Sequence, residues 1–183
     1  MAKAYILSSK GISLTSRLIK WWQWGFPYTH IAYVLNLSDP ADPVVIEAWW
    51  NGVRDGKFSE VHTPGTEFSV FSVQVSEAQK ELIEIFLRDQ VGKPYDWLGI
   101  LGFPLRNWKL EKSNRWFCSE LVFAAFKYAG VELLRETHPS EVSPRLFLKS
   151  PFLKFEYSTK LPKVRNSCAI PYPGKFSSEV LNS

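Results

Sequence analysis

Residues Arg115–Val122, with the sequence RWFCSELV, mark the point where a polar stretch turns into the apolar run FAAFKYAGV. The run predicts a helix that ends at Gly130. Cys118 therefore falls at the helix start, where unpaired N–H groups and the helix dipole stabilise a negative charge such as that of a thiolate. The position favours a nucleophilic cysteine, although a buried structural cysteine is the commoner use of a free thiol.

Two apolar strands earlier in the chain each carry one ionisable residue, His30 and Glu47. If the loop 36–43 joins these strands as a hairpin, Leu35 lies opposite Val44, and Glu47 becomes the diagonal neighbour of His30 on one face. Diagonal neighbours lie about 7–8 Å apart, so a glutamate reaches an imidazole. Taken singly, the histidine is interpreted as a strand-end residue whose hydrogen bonds are satisfied, and the glutamate as an edge carboxylate exposed to water. A helix N-terminus packed on the same face would add a nucleophile to this base and acid.

The remaining patterns predict one α+β domain over residues 1–183, in which an antiparallel sheet packs against helices. The predicted strands cover 4–7, 30–35, 44–49 and 68–75, and the predicted helices cover 13–24, 76–92 and 119–129. Ser76 and Gln79 form a capping-box pattern at the start of the second helix. The proline-rich, basic segment 150–183 is predicted to be an irregular tail.

The composition is that of an ordinary globular domain, since 45% of the 183 residues are hydrophobic. The N-terminus is broken by Lys10 and Gly11 before any long apolar run, so neither an export signal nor a membrane span is expected. The two cysteines, Cys118 and Cys168, do not make a disulfide framework, which favours a reducing, cytoplasmic location. Three widely spaced histidines do not form a zinc motif, so we expect no metal and no other cofactor.

Positive charge is concentrated at the two ends of the chain. Residues 1–38 contain four lysines or arginines and no acid, and residues 149–183 also carry a basic surplus. Because the whole chain has a net charge of only +4, the middle is acidic. This pattern argues against a continuous nucleic-acid groove but permits peripheral contact with a membrane or another acidic partner. A soluble surface with two basic ends is the simpler interpretation.

Several stretches resemble the NlpC-type papain-like cysteine peptidases. GKPYDW at 92–97 and FCSELV at 117–122 resemble two motifs of that family, and YTHIAYVL with VIEAWWNGV resembles its histidine-bearing strand pair. Ordinary members have the cysteine before the histidine, whereas here His30 precedes Cys118 by 88 residues. Over roughly residues 13–146, the chain therefore resembles the circularly permuted branch, which includes the YiiX/YaeF-like proteins and the lecithin retinol acyltransferase-like enzymes.

The resemblance implies a permuted papain-like fold with the nucleophile at a helix N-terminus, and it implies roles for four residues. Cys118 matches the nucleophile and His30 the general base. Glu47 matches the third, orienting residue of the YiiX-like branch. Tyr95 matches a tyrosine that lies beside the cysteine and helps to bind the oxyanion, although a packing aromatic residue would explain it equally well.

Two departures from the family pattern lead us to expect a different substrate cleft from that of the cell-wall peptidases. Leu98 and Gly99 replace a double glycine, and Glu120 replaces the glycine after Cys-Ser. Peptides are the substrates of the unpermuted relatives, whereas the permuted branch and the aromatic content favour lipid-linked or acyl amides. Tryptophans near the predicted catalytic strands, Trp24 above all, are candidates for lining an acyl-chain cleft.

The expected function is therefore a thiol hydrolase that cleaves an amide or ester bond through an acyl-enzyme. An acyltransferase using the same thioester is one alternative, and a non-catalytic module that binds a lipid or a partner is another. Unusual reactivity of Cys118 would separate the enzymes from the binding module. His62 and His138 have no predicted acidic neighbour and are expected to be exposed loop histidines, with any part in the site left open.

Overall fold

The computed structural model describes residues 1–10, 28–96 and 114–163, and within these ranges six strands form one antiparallel sheet. The strands are β1 (Ala2–Ser9), β2 (His30–Asn36), β3 (Val44–Trp49), β4 (Gly52–Lys57), β5 (Glu67–Val75) and β6 (Lys154–Lys160), in the order β4-β3-β2-β1-β5-β6. The helices are α1 (Glu77–Gln90), α2 (Cys118–Tyr128) and the short α3 (Pro144–Phe147). The predicted α+β class is confirmed. The helix predicted over 13–24 lies outside the described residues.

The β2–β3 hairpin has the predicted register over most of its length. Tyr33 pairs with Ile46, as the prediction requires. Near the loop a β-bulge changes the pairing, so that Asn36 rather than Leu35 lies opposite Val44. Because the bulge lies at the loop end, the register at the opposite end of the hairpin is unaffected.

Apolar residues cover both faces of the sheet. On one face, α1 and α2 pack against alternate residues of the central strands, including Ile31, Tyr33, Ile46 and Ala48. On the other face a smaller core contains Ala32, Val34, Val45, Phe58 and Phe68. A sheet covered on both faces explains why the central strands are nearly continuous apolar runs. An ionisable side chain within such a strand is therefore buried.

The two edge strands, β4 and β6, were not predicted. β4 contains two glycines and three charged residues, and neither strand shows the apolar run of the central strands. Polar edge strands are common because they discourage pairing with another chain. The prediction of an irregular tail from residue 150 onward is therefore wrong for 154–160, where β6 pairs with β5. Residues 164–183 lie outside the described residues.

The start of α1 follows the sequence prediction. Gln79 donates its backbone N–H to the Ser76 hydroxyl at 3.1 Å, and its side chain accepts from the Ser76 backbone N–H at 2.9 Å. This is the predicted capping box. No helix within the described ranges is long and apolar enough to cross a membrane.

Candidate active site

Cys118 is the first residue of α2 and is 3% exposed. The N-cap residue before it, Phe117, has an extended backbone and no side-chain cap hydrogen bond. The helix dipole and the N–H groups of the first turn therefore favour negative charge at this position. Residues 118–126 are all buried, so α2 passes through the core with its N-terminus at the sheet.

His30 connects Cys118 with Glu47. Its Nε2–H donates to the Glu47 carboxylate oxygen Oε2 at 2.5 Å, and the Cys118 side chain lies close enough to the ring to influence its pKa. Burial alone would lower the pKa of the His30 imidazole, but the interactions with Cys118 and Glu47 outweigh it and raise that pKa to about 10. The arrangement therefore favours an imidazolium at His30, beside the buried Glu47 carboxylate.

The route by which the helix reaches this histidine differs from the prediction. Strand alternation places His30 and Glu47 on the face of Ala32 and Val34, whereas α2 packs on the opposite face. The helix N-terminus meets the histidine at the first residue of β2, where the strand begins. The condition that the helix packs on the same face is therefore not needed, because His30 lies at the end of its strand.

Glu47 is fully buried, and three side chains donate hydrogen bonds to its carboxylate. Arg54 Nη1 donates to Oε1 at 2.6 Å, and His62 Nε2 donates to Oε2 at 2.9 Å, beside the bond from His30. Burial would raise the pKa of the Glu47 carboxyl, but the hydrogen bonds from the two histidines lower it well below its usual range. The buried glutamate is therefore ionised rather than an exposed edge carboxylate.

His62 is not the exposed loop histidine that the sequence predicts. It is 7% exposed, stacks on the Phe58 ring at a centroid distance of 3.7 Å and lies 4.2 Å from the Trp49 ring. The acidic partner that the sequence did not reveal is Glu47, which lies 15 residues earlier in the chain. His62 comes to the carboxylate because a 3₁₀ turn at Phe58–Glu60 bends the chain back after β4.

His138 forms hydrogen bonds within its own turn. It is the N-cap residue of a 3₁₀ turn at Pro139–Glu141, and its Nδ1 accepts from the Ser140 backbone N–H at 3.3 Å. The residue is partly buried rather than fully exposed. This capping explains a histidine at the position without a part in the site.

Tyr95 lies beside Cys118 and is 9% exposed. Burial raises the pKa of the Tyr95 hydroxyl well above its usual value, and electrostatic interactions with Cys118 and Asp96 add to the effect. An isolated bridge joins Tyr95 to Trp116, two residues before the cysteine. The tyrosine is therefore a protonated hydroxyl close to the thiol. Leu98 and Gly99, which depart from the family pattern, lie outside the described residues, as does Trp24.

Sequence reasoning missed Arg54 and His62. The signal for Arg54 was present, because the tight β3–β4 turn that pairs Trp49 with Gly52 also places Arg54 opposite Glu47. Opposite charges on paired strands would have linked the two residues once β4 was recognised. His62 had no such signal, since it lies outside any strand and its approach depends on the turn that precedes it.

His30, Glu47 and His62 also form a group that could hold a metal ion, because one ligand atom from each lies within 4.8 Å of the others. In the structure the same atoms are joined by hydrogen bonds, and the Arg54 guanidinium contacts the second carboxylate oxygen. A cation at that oxygen repels a further cation. The network therefore accounts for these contacts, and the absence of a metal stays a prediction.

A comparison with known families bears on the identity of the chain. Residues 4–154 match the model of a family described as a permuted papain-like amidase enzyme, YaeF/YiiX, C92 family. The matched residues include the histidine strand, the glutamate strand and the cysteine helix. No curated protein matched the chain. Because the family match covers most of its length, the chain belongs to the C92 family of permuted papain-like amidase enzymes.

Proposed function

We propose that the protein hydrolyses an amide or ester bond with Cys118 as the nucleophile, His30 as the acid and base, and Glu47 as the residue that orients the histidine. The observation that carries the proposal is the position of His30 between the thiol and a buried, ionised carboxylate. A histidine held by an anion on one side and a thiol on the other can accept the thiol proton and return it to a leaving group.

The proposed reaction begins with an ion pair of the Cys118 thiolate and the His30 imidazolium. The sulfur attacks the carbonyl carbon of the substrate, and the oxygen becomes an oxyanion held by the Cys118 backbone N–H and the Tyr95 hydroxyl. The bond to the leaving group breaks as that group takes a proton from His30, which leaves a thioester. His30 then takes a proton from water, the resulting hydroxide attacks the thioester, and the acid is released together with the Cys118 thiolate, which restores the ion pair with the protonated His30.

The proposed substrate class is a peptide, lipid-linked or acyl amide. An amine or alcohol that replaced water in the last step would make the enzyme an acyltransferase without any change in the protein groups. The predictions of no nucleic acid, of peripheral membrane contact and of a cytoplasmic location stay predictions.

The first experiment measures the reactivity of Cys118 in a Cys168→Ser background, so that a single thiol is followed. We expect iodoacetamide to alkylate Cys118 rapidly at about pH 6, where an ordinary thiol with a pKa of about 8.5 is mostly protonated. In His30→Ala the rate should fall to that of an ordinary thiol. His138→Asn, which keeps a good N-cap residue, is the matched histidine control and should alkylate like the parent.

The second part of the experiment follows covalent turnover. Acyl p-nitrophenyl esters and aminoacyl p-nitroanilides are offered to the protein, and intact mass is recorded for a thioester on Cys118. We expect the adduct in the parent and none in Cys118→Ala, while transfer to an added amine would identify an acyltransferase. Slow alkylation of the parent, together with no adduct from any probe, would reject the enzymatic proposal in favour of a binding module.

A further inference from the structure

His62 makes a contact that the proposed mechanism does not use. Its Nε2 lies 2.9 Å from Glu47 Oε2, the same oxygen that accepts the 2.5 Å hydrogen bond from His30. The carboxylate side chain is 0% exposed, and the side chains of His30 and His62 are 8% and 4% exposed. Bulk solvent does not reach the carboxylate, so its position depends on its protein partners.

We propose that His62 is a positioning residue, whose Nε2–H holds the Glu47 carboxylate in the orientation from which it bonds to His30. The inference rests on the proposed function, because it concerns the residue that orients the histidine of that site. It adds a fifth side chain to the four that the sequence had suggested, and it assigns that side chain no contact with the substrate.

The charges around Glu47 indicate that His62 acts as a neutral donor. Burial lowers the pKa of the His62 imidazole, the positive charges of His30 and Arg54 lower it further, and the hydrogen bond with Glu47 opposes them without reversing the shift. A neutral imidazole has one N–H, and a carboxylate oxygen can only accept. The proton of His62 is therefore on Nε2, where it faces Glu47.

Aromatic side chains hold the His62 ring in this orientation. The Phe58 ring stacks on it at 3.7 Å with an interplanar angle of 19°, and the Trp49 ring lies 4.2 Å away. Trp49 also contacts His30 edge-on at 5.1 Å. The rotation of the His62 ring is thereby restricted, so its N–H is directed at the carboxylate before any substrate binds.

The segment that carries His62 is itself anchored. The Asp42 carboxylate accepts hydrogen bonds from the Ser59 backbone N–H at 2.9 Å and from its hydroxyl at 2.8 Å. Glu60 accepts from Arg54 Nη2 at 2.5 Å, while Nη1 of the same arginine donates to Glu47. The turn at Phe58–Glu60 therefore supports both oxygens of the Glu47 carboxylate, one through Arg54 and one through His62.

The test compares two substitutions at position 62 in the Cys168→Ser background. His62→Phe keeps an aromatic ring against Phe58 and removes the donor, whereas His62→Gln keeps an N–H donor of similar reach. For the loss of a hydrogen bond to a charged group, we expect Cys118 alkylation at neutral pH to slow by about tenfold in His62→Phe. The rate should be largely restored in His62→Gln, and all buffers contain EDTA so that no bound metal contributes.

A second readout separates positioning from general loss of structure. The His30 ring is observed by NMR in ¹³C-histidine-labelled protein, and its titration midpoint is recorded beside urea unfolding of each variant. We expect the His30 midpoint, which the interactions with Cys118 and Glu47 raise in the parent, to fall in His62→Phe even where the protein remains fully folded, because a displaced carboxylate stabilises the imidazolium less. A merely structural role for His62 would change unfolding and leave this midpoint in place.

Two results would overturn the inference and are distinguishable from each other. Rapid alkylation in both the parent and His62→Phe, with the same His30 midpoint, would reject the positioning role while leaving the proposed function intact. Slow alkylation in the parent itself would reject the proposed function and the role of His62 with it.

Discussion

At the scale of single residues, the site is organised around a buried charge. Glu47 receives two donors on one carboxylate oxygen and an arginine on the other, so protein groups compensate its negative charge. Leaving one member of such a group unpaired is costly, since the remaining charges stay buried. Glu47, although it is an ionisable residue in an apolar strand, therefore also contributes to the stability of the fold.

This compensation predicts an acid dependence of stability. The pKa of the Glu47 carboxyl is lower in the folded protein than its ordinary value of 4.5. Its contribution to stability is therefore present above pH 4.5 and is lost as the pH falls toward the folded-state pKa, because only the unfolded chain takes up the proton. The free energy of unfolding, measured by urea denaturation at several pH values, should therefore depend less steeply on pH below 4.5 in Glu47→Gln than in the parent. The difference in slope should be up to about 1.4 kcal/mol per pH unit.

Glu81→Gln, on the exposed side of α1, serves as the matched control for the same charge change. It should leave the slope of the parent unchanged. Equal slopes for Glu47→Gln and the parent between pH 3 and 4.5 would show that Glu47 is not ionised in the folded state.

At the scale of elements, β4 and the segment around Tyr95 position the site from one side. Val53 in β4 donates its N–H to the Lys93 carbonyl at 2.8 Å and accepts from the Gly92 N–H at 2.9 Å. On the other side of the segment, Trp116 donates its N–H to the Pro94 carbonyl at 3.2 Å. The tyrosine is thus held between an edge strand and the residues that lead into α2.

Gly52 allows the close approach of these elements. Its φ is +126°, and a Cβ added there would lie 2.8 Å from the Lys93 carbonyl oxygen. Gly52→Ala should therefore lower the free energy of unfolding by about 1–3 kcal/mol, measured by urea denaturation, and displace the Tyr95 segment. Gly65→Ala is the control, since Gly65 also has a positive φ of +84°, but among the described residues no atom would lie within 4 Å of its added Cβ. Equal losses in the two variants would mean that backbone strain alone, and not contact with Lys93, requires glycine at 52.

At the scale of the whole molecule, the sheet is a layer between two apolar cores. α2 runs through the larger core, and Phe126 near its end is fully buried with its ring 6.4 Å from that of Tyr33 in β2. The helix that carries Cys118 and the strand that carries His30 are therefore joined by ordinary packing. The geometry of the site depends on this packing as much as on its own hydrogen bonds.

Phe126→Ala tests that dependence. Removing a fully buried phenyl ring should cost about 3–5 kcal/mol of unfolding free energy, measured by urea denaturation. Phe152→Ala removes the same ring from a position that is 60% exposed and should change stability by less than about 0.5 kcal/mol. Comparable effects of the two substitutions would contradict the assignment of Phe126 to the core between α2 and β2.

Much of the fold and part of the site could be predicted because they depend on local patterns. The apolar runs indicated four of the six strands, the capping box indicated the start of α1, and the helix that follows Cys118 begins where its composition changes. The hairpin register placed Glu47 within reach of His30, since the side-chain period of a strand is fixed. Each of these features depends only on interactions between residues that are neighbours along the chain or across one turn.

The sequence by itself therefore determined the α+β class, the central hairpin and the position of Cys118 at a helix start. The tertiary structure decided the rest. It showed that α2 reaches His30 from the opposite face of the sheet, that β6 forms in a proline-rich segment, and that His62 and Arg54 share the Glu47 carboxylate. The physical reason is that these contacts arise from packing between segments whose separation along the chain carries no periodic signal.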